Sequence, residues 1–222
     1  APDTIVHTRA APPSGSAACL SGRSSGPSKG RLGWAVLPRR GGGALFWCPA
    51  ASGGGAPSAA VVIKYRLEFD PAARVVLGVG TPAGLETAEA LFKDSEAVSI
   101  MAAPYDFWSA PARTVRALKP KALIIWETEL WPNIIAEAKK NGAMVVLAAG
   151  RLTARSFKRY RRVKTFMSDL LGRVYLIAPS GWAEYEYFSR LGAPVERLRI
   201  LGNPKFRQLY PQADSGPLET SQ

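Results

Sequence analysis

Cysteine and histidine are almost missing from this chain. Cys19 and Cys48 are the only cysteines and His7 the only histidine. Two thiols are too few for a disulfide framework or a zinc cluster, and His7 lies in a low-complexity tail, so histidine chemistry and histidine metal sites are excluded. Long apolar runs are also lacking. None approaches the roughly 20 residues of a membrane-crossing helix, and the N-terminus has no continuous apolar core of the signal-peptide kind. The expectation is a chain that is soluble or bound to a surface. Acidic residues are scarce, 17 against 29 Lys and Arg, for a net charge of +12. That balance favours an anionic partner, whether nucleic acid, a phospholipid surface or a phosphorylated small molecule, without choosing among them.

What is present suffices for one core. The 222 residues are 47% hydrophobic and 21% charged, which fits one globular domain with ragged ends. Residues 1–30 are rich in Ala, Pro, Ser and Gly without a sustained period, so no structure is assigned to them. Residues 210–222 have the same character and read as the start of a linker. Between them, continuous apolar runs mark strands covered on both faces: "RVVLGVG" (74–80), "AVSIMAAP" (97–104), "KALIIWE" (121–127), "AMVVLAAG" (143–150), "RVYLIAP" (173–179) and "RLRILG" (197–202), with "ALFW" ahead of them. Helical segments are predicted at 84–93, 108–118, 132–141, 153–171 and 182–191. The helix at 153–171 carries one apolar stripe of Phe157, Tyr160, Val163, Met167, Leu170 and Leu171. "VVIKYRLEF" (61–69) is β-branched like a strand but stands where the topology wants a helix, and helix is the reading adopted. This alternation implies an α/β fold, a Rossmann-like parallel sheet with helices on both faces, over residues 31–209.

The chemistry gathers where strands end. In open parallel sheets ligands bind beyond the carboxyl ends of the strands. "ALIIWETELWPNII" (122–135) puts Glu127 and Glu129 at that edge, with Trp126 and Trp131 beside them. Pro132 suits the first turn of the next helix, where a positive dipole end favours ionised carboxylates. For either glutamate alone, support of that helix is the simpler role; together with two aromatics they point to a polar ligand. "TPAG" (81–84) offers Thr81 as an N-cap and Pro82 at the first helical position. "PYDF" (104–107) and "GNPKF" (202–206) also close strands, and Lys205 is a candidate cation for the crevice. "RLTARSFKRYRRVK" (151–164) crowds Arg151, Arg155, Lys158, Arg159, Arg161, Arg162 and Lys164 onto one segment without an acidic residue. A solvated helix face is the ordinary reading, but helices usually intersperse Glu for i,i+4 support, so a docking surface for phosphate-rich material is a fair hypothesis. Nucleic acid is not expected, because no RNP-like, KH or zinc-finger pattern accompanies the charge.

"WETELWPN", "GRLTARS", "TPAG", "PYD" and "GNPKF", in these places, resemble the N-terminal domain of 3-deoxy-D-manno-octulosonic acid (Kdo) transferase over residues 31 to 207. The resemblance implies the N-terminal half of a GT-B glycosyltransferase, in which two Rossmann-like domains face one another across a cleft. The N-terminal domain receives a phosphorylated lipid A precursor. A C-terminal domain, expected beyond the linker at 210–222 and not among these residues, holds the donor CMP-Kdo. The resemblance further implies a peripheral location at the cytoplasmic face of the bacterial inner membrane, an anionic membrane surface as partner, and metal-independent, inverting transfer without a cofactor. Lys158, Arg159, Arg161, Arg162 and Lys164 would then meet membrane and acceptor phosphates. Acceptor contacts carried over by position are Ser52, Gly53, Gly54, Thr81, Pro82, Gly84, Asp106, Glu129, Trp131, Asn133, Arg151, Arg155 and Asn203. Glu127 corresponds to a residue that stabilises the transition state, and Lys205 to its cationic counterpart.

The general base departs from the family pattern. It belongs to a Ser-x-Gly-Glu loop after the first strand, and reading "FWCPAASGGGAPSA" (46–59) without gaps puts Gly55 in the glutamate's place. Pro49 stands where a histidine is common, Pro57 is expected to interrupt the start of the next helix, Gly150 replaces a usual alanine, and Pro204 and Arg207 alter the "GN-K-F" motif. A glycine has no group to take a proton. Three accounts follow: a binding-only relative, a shifted register in which Glu68 serves, or an altered segment. The expectation is that these residues by themselves do not transfer Kdo.

Overall fold

A computed structural model describes residues 30–33, 43–50, 55–107, 109–127 and 129–201. Six strands, β1 (Leu45–Ala50), β2 (Arg74–Val79), β3 (Val98–Ala102), β4 (Ala122–Trp126), β5 (Met144–Gly150) and β6 (Leu176–Pro179), form one parallel sheet in the order β3-β2-β1-β4-β5-β6. This is the doubly wound Rossmann order, so the expected fold class is the observed one. The runs are apolar throughout because both faces are covered. In β2 every residue from Val75 to Val79 is buried.

The two faces have separate cores. On one, α1 (Gly55–Phe69) and α2 (Pro82–Leu91) bring Ala59, Ala60, Ile63 and Ala88 against Cys48, Val75, Leu77 and Trp126. On the other, α3 (Ala110–Leu118), α4 (Pro132–Lys140), α5 (Ala154–Arg161), α6 (Lys164–Gly172) and α7 (Trp182–Arg190) pack Val115, Ile134, Ile135, Phe157, Met167, Leu171 and Phe188 against Trp47, Leu123, Ile125 and Leu147. Connections up to β3 use the first face and all later ones the second. Burial in the first core pushes the Cys48 thiol up to about 12, so it stays protonated near neutral pH and is a poor nucleophile.

Four expectations are corrected. The helix at 153–171 is two helices. Arg162 and Val163 break it, with the Arg162 N–H bonded to the Arg159 and Tyr160 carbonyls, and Val163 stands at φ −119°, ψ 39°. Like charges at i,i+3 and i,i+4 among Arg155, Lys158, Arg159, Arg161 and Arg162 weaken that stretch as a helix interior. Phe157, Met167, Leu170 and Leu171 are buried as the stripe requires, whereas Val163 is half exposed. The segment at 197–202 forms no strand among its described residues: Val195–Arg197 is a single 3-10 turn and Leu198 makes one isolated bridge to Ile177. Pro57 does not interrupt α1. It lies in the first turn, where a missing N–H is tolerated. Gly30, grouped with the low-complexity tail, belongs to a helical turn whose carbonyl accepts the Gly33 N–H. The segment 61–69 is helical, as read.

β5 ends in an irregular turn. Its register with β6 shifts between Leu147 and Gly150, and Ala149 takes a left-handed φ of 48°. Gly150 lies against the fully buried Phe188, so a Cβ added there would come within 2.9 Å of the ring. That close approach explains why glycine fits at this position. Gly150→Ala is expected to overpack this contact and cost about 1–3 kcal/mol. In thermal melts that is roughly 2–4 °C per kcal/mol for a domain of this size, and adding Phe188→Leu should recover part of the loss.

Candidate functional site

The strand order reverses between β1 and β4, which lie side by side with Phe46 opposite Ala122 and Trp47 opposite Leu123. Helices leaving these two strands diverge to opposite faces and open a crevice at their carboxyl ends. Gly55 begins α1 after β1, and Glu127 directly follows β4. The topology therefore brings Gly55, where the resemblance expects a base, and the candidate transition-state residue Glu127 to the same opening. Ser52, Gly53, Gly54, Asn203 and Lys205 fall outside the described residues.

Glu127 adopts φ +52°, a left-handed backbone that non-glycine residues rarely take, and donates its N–H to the Ala148 carbonyl at 3.0 Å. Ala149, on the neighbouring strand, is left-handed too. Two such residues at adjacent strand ends are strain held in place by their surroundings, which is a mark of functional sites. The Glu127 carboxylate lies 3.9 Å from Arg151 Nη1, with both side chains partly exposed. At that distance and exposure the pair adds little to stability. It does set a carboxylate and a guanidinium together at the crevice.

Helix support is provided by another residue. Asp106 Oδ1 accepts the Ile134 N–H at 2.7 Å and Oδ2 the Asn133 N–H at 3.1 Å, while Asn133 Nδ2 donates to the Asp106 carbonyl at 2.6 Å. Pro132 has no N–H, and Ile135 bonds back to the Trp131 carbonyl. The first turn of α4 thus has no donor left for Glu127 or Glu129, so capping of this helix does not explain either glutamate. Burial pushes the Asp106 carboxyl up from its ordinary value, and the bonds from Asn133 and Ile134 pull against that rise. Glu129 is half-buried in the turn, its N–H on the Trp126 carbonyl and its own carbonyl accepting from Trp131. Trp131 is half-buried against the core.

The remaining candidates divide into two groups. Thr81 caps α2 by accepting the Gly84 N–H at 3.1 Å, Pro82 takes the first helical position and Gly84 is buried. This group sits at the end of β2, three strands or about 14 Å from β5. Arg155, Lys158, Arg159 and Arg162 instead line an open groove of about 660 Å³ along α5, with Arg161 and Lys164 exposed beyond it. Glu68 is excluded as a substitute base. It lies in the last turn of α1, roughly 20 Å from that helix's first residue.

Sequence reasoning missed Arg31. Its guanidinium donates to the Gly80 carbonyl at 2.7 Å and to the Tyr105 hydroxyl at 3.1 Å, and lies over the Tyr105 ring. Tyr105 stacks in turn on Phe107, so a cation and two exposed aromatics edge the β2–β3 side of the opening. Arg31 follows a tail without periodicity, and only tertiary contact marks it.

A doubly wound sheet with strained residues and charged groups at its reversal point defines a Rossmann-like domain. Among solved structures, the chain resembles HepE of Anabaena, determined in complex with UDP and glucose, with a TM-score of 0.52 at 14% identity over 72% of this chain and 44% of that one. At that identity the likeness concerns the fold alone. The chain belongs to the 3-deoxy-D-manno-octulosonic-acid transferase (kdotransferase) family, whose model matches residues 28–208. It is 32% identical to the 3-deoxy-D-manno-octulosonic acid transferase of Haemophilus influenzae over 71% of this chain and 36% of the relative. It is 31% identical to the transferase of Chlamydophila psittaci over 79% of this chain and 40% of the relative. The chain therefore spans well under half the length of these curated relatives.

If Asp106 is the cap of α4, Asp106→Ala should cost about 1–2 kcal/mol, measurable by urea denaturation, and Asp106→Asn less, since one acceptor remains. Equal melting of all three proteins would remove Asp106 from that role.

Proposed function

We propose that this domain forms the acceptor side of a Kdo transferase, working with a donor-holding domain to move Kdo from CMP-Kdo to a phosphorylated lipid A precursor in lipopolysaccharide biosynthesis. The observation that carries the reading is the placement of Glu127, in strained backbone and beside Arg151, at the switch point that α1 also enters. Family membership supports it. In the reaction the acceptor hydroxyl gives its proton to a base, its oxygen bonds to the anomeric carbon of Kdo, and the bond to CMP breaks with the electron pair leaving on phosphate. A carboxylate at Glu127 suits the positive character that grows at the anomeric centre, and Arg151 suits the negative charge of a bound phosphate. Work at the cytoplasmic face of a bacterial inner membrane is part of the same proposal.

Gly55 limits the activity of the chain as it stands. It offers no base, and a positioned base contributes about 10²–10⁴-fold to such a step. A second reading therefore has its own support: a non-catalytic module that holds anionic lipid or phosphosugar through its basic groove. The two are separated by joining this chain to the donor-holding part of the Haemophilus influenzae relative and following CMP release with a lipid A precursor. The parent fusion is expected to be silent, Gly55→Glu to restore transfer, and Glu127→Gln to abolish it again in the restored fusion. Transfer by the parent at full rate would place the base elsewhere, and silence of the Gly55→Glu fusion would favour the module.

A further inference from the structure

Trp182 takes no part in the core or in the groove of cations. It is the first residue of α7 and is 77% exposed, more than any other large hydrophobic side chain among the described residues. Its place in the first turn decides where it points. Cα–Cβ bonds of a helix tilt toward the N-terminus, so Trp182 projects past the start of α7, toward the carboxyl edge of the sheet where ligands of such folds bind. Tyr185, half-buried against the core, meets the Trp182 ring at 5.6 Å and 59° and steadies it. Most of the indole stays open.

Polar groups flank this ring. Ser180 is held at the end of β6 by its N–H on the Gly150 carbonyl at 2.9 Å, and Glu184 folds back over the helix start, its Oε2 3.2 Å from where a Cβ on Gly181 would stand. Among the described residues neither the Ser180 hydroxyl nor the Glu184 carboxylate has a hydrogen-bond or ion-pair partner. An open aromatic surface beside an unengaged carboxylate and hydroxyl suits one ligand chemistry. A pyranose with equatorial hydroxyls has an apolar C–H face to lie on the indole and a rim of O–H groups to donate to a carboxylate. A protein partner would want further apolar side chains around its anchor, whereas Trp182 stands between Gly181 and Ala183. Glu184 works against an anionic bilayer.

We infer that Trp182, Ser180 and Glu184 form a subsite for an uncharged pyranose, its ring stacked on the indole and its hydroxyls bonded to the Glu184 carboxylate. Repulsion from the same carboxylate turns the subsite against acidic sugars. β6 lies two strands, about 10 Å, from β4 in the sheet. A sugar held here is therefore not the one that reacts beside Glu127. As an extension of the acceptor crevice the subsite rests on the reading given above, but sugar binding itself needs no transfer.

Titration of the purified chain with methyl β-glucoside and with methyl β-glucuronide tests it, read by saturation transfer to the sugar ring protons and by the six indole N–H signals. Saturable binding of the glucoside is expected, shifting the one indole signal that Trp182→Ala removes, with the glucuronide about fivefold weaker, the effect of one nearby charge in water. Trp182→Ala should weaken glucoside binding about tenfold through loss of the stacked apolar face. Glu184→Gln should remove the bias against the glucuronide. Trp182 is exposed, so an unchanged melting temperature is expected and verifies that its variant folds. Undiminished glucoside binding by Trp182→Ala, equal affinity of the parent for both sugars, or no saturable binding of either would each overturn the assignment, as would self-association that Trp182→Ala abolishes while sugars leave the indole signals unmoved. A silent transfer assay changes none of these readouts.

Discussion

β1 and β4 are neighbours in the sheet although three crossovers and two strands separate them in the chain, and the opening between their diverging helices is the constraint on which the rest depends. A parallel sheet covered on both faces can expose polar chemistry only at its edges and strand ends. Here the carboxyl ends gather Glu127, Arg151 and the start of α1, while the faces are closed by Trp47, Leu123, Ile125 and Leu147 on one side and Val75, Leu77 and Trp126 on the other. The left-handed backbone at Glu127 and Ala149 is tolerable because the paired strands behind them leave the chain little alternative.

Asp106 links this edge into a unit. It follows β3 at the border of the sheet, yet its carboxylate closes the first turn of α4. The loop after β3 is thereby tied to the helix that starts beside Glu129. On the other side of the same loop, Tyr105 donates its backbone N–H to the Arg31 carbonyl and packs under the Arg31 guanidinium. One connection thus braces both ends of the opening, and the glutamates at the switch point are relieved of helix support. Their positions then require a different explanation, which is why the functional reading rests on them and not on the cap.

Much of this was legible in the residues. Continuous apolar runs identified the buried strands, and Thr81–Pro82 and Pro132 marked helix starts through rules that act within a few residues. The helix break at Arg162–Val163 was not legible. The apolar stripe continues through it, and only competition between like charges and core packing turns Val163 out. "RLRILG" looked like a strand because its composition is right, but in the structure Leu198 forms a single isolated bridge. Arg31 and the Asp106 cap were hidden for a shared reason: each acts on a partner far away in sequence, Gly80 and Tyr105 for one, Asn133 and Ile134 for the other.

The sequence alone determined the fold class, the family pattern and that a glycine stands where the resemblance expects a base. Those follow from periodicity, local turn chemistry and side-chain type, which neighbours along the chain suffice to specify. Tertiary structure decided which carboxylate caps a helix and which stands beside Arg151 at the end of β4, that Glu68 lies far down α1 from Gly55, and that Val163 stands half in solvent. These depend on how strands are ordered and how helices cross, and burial or hydrogen bonding between distant segments is paid for only once the chain has closed on itself.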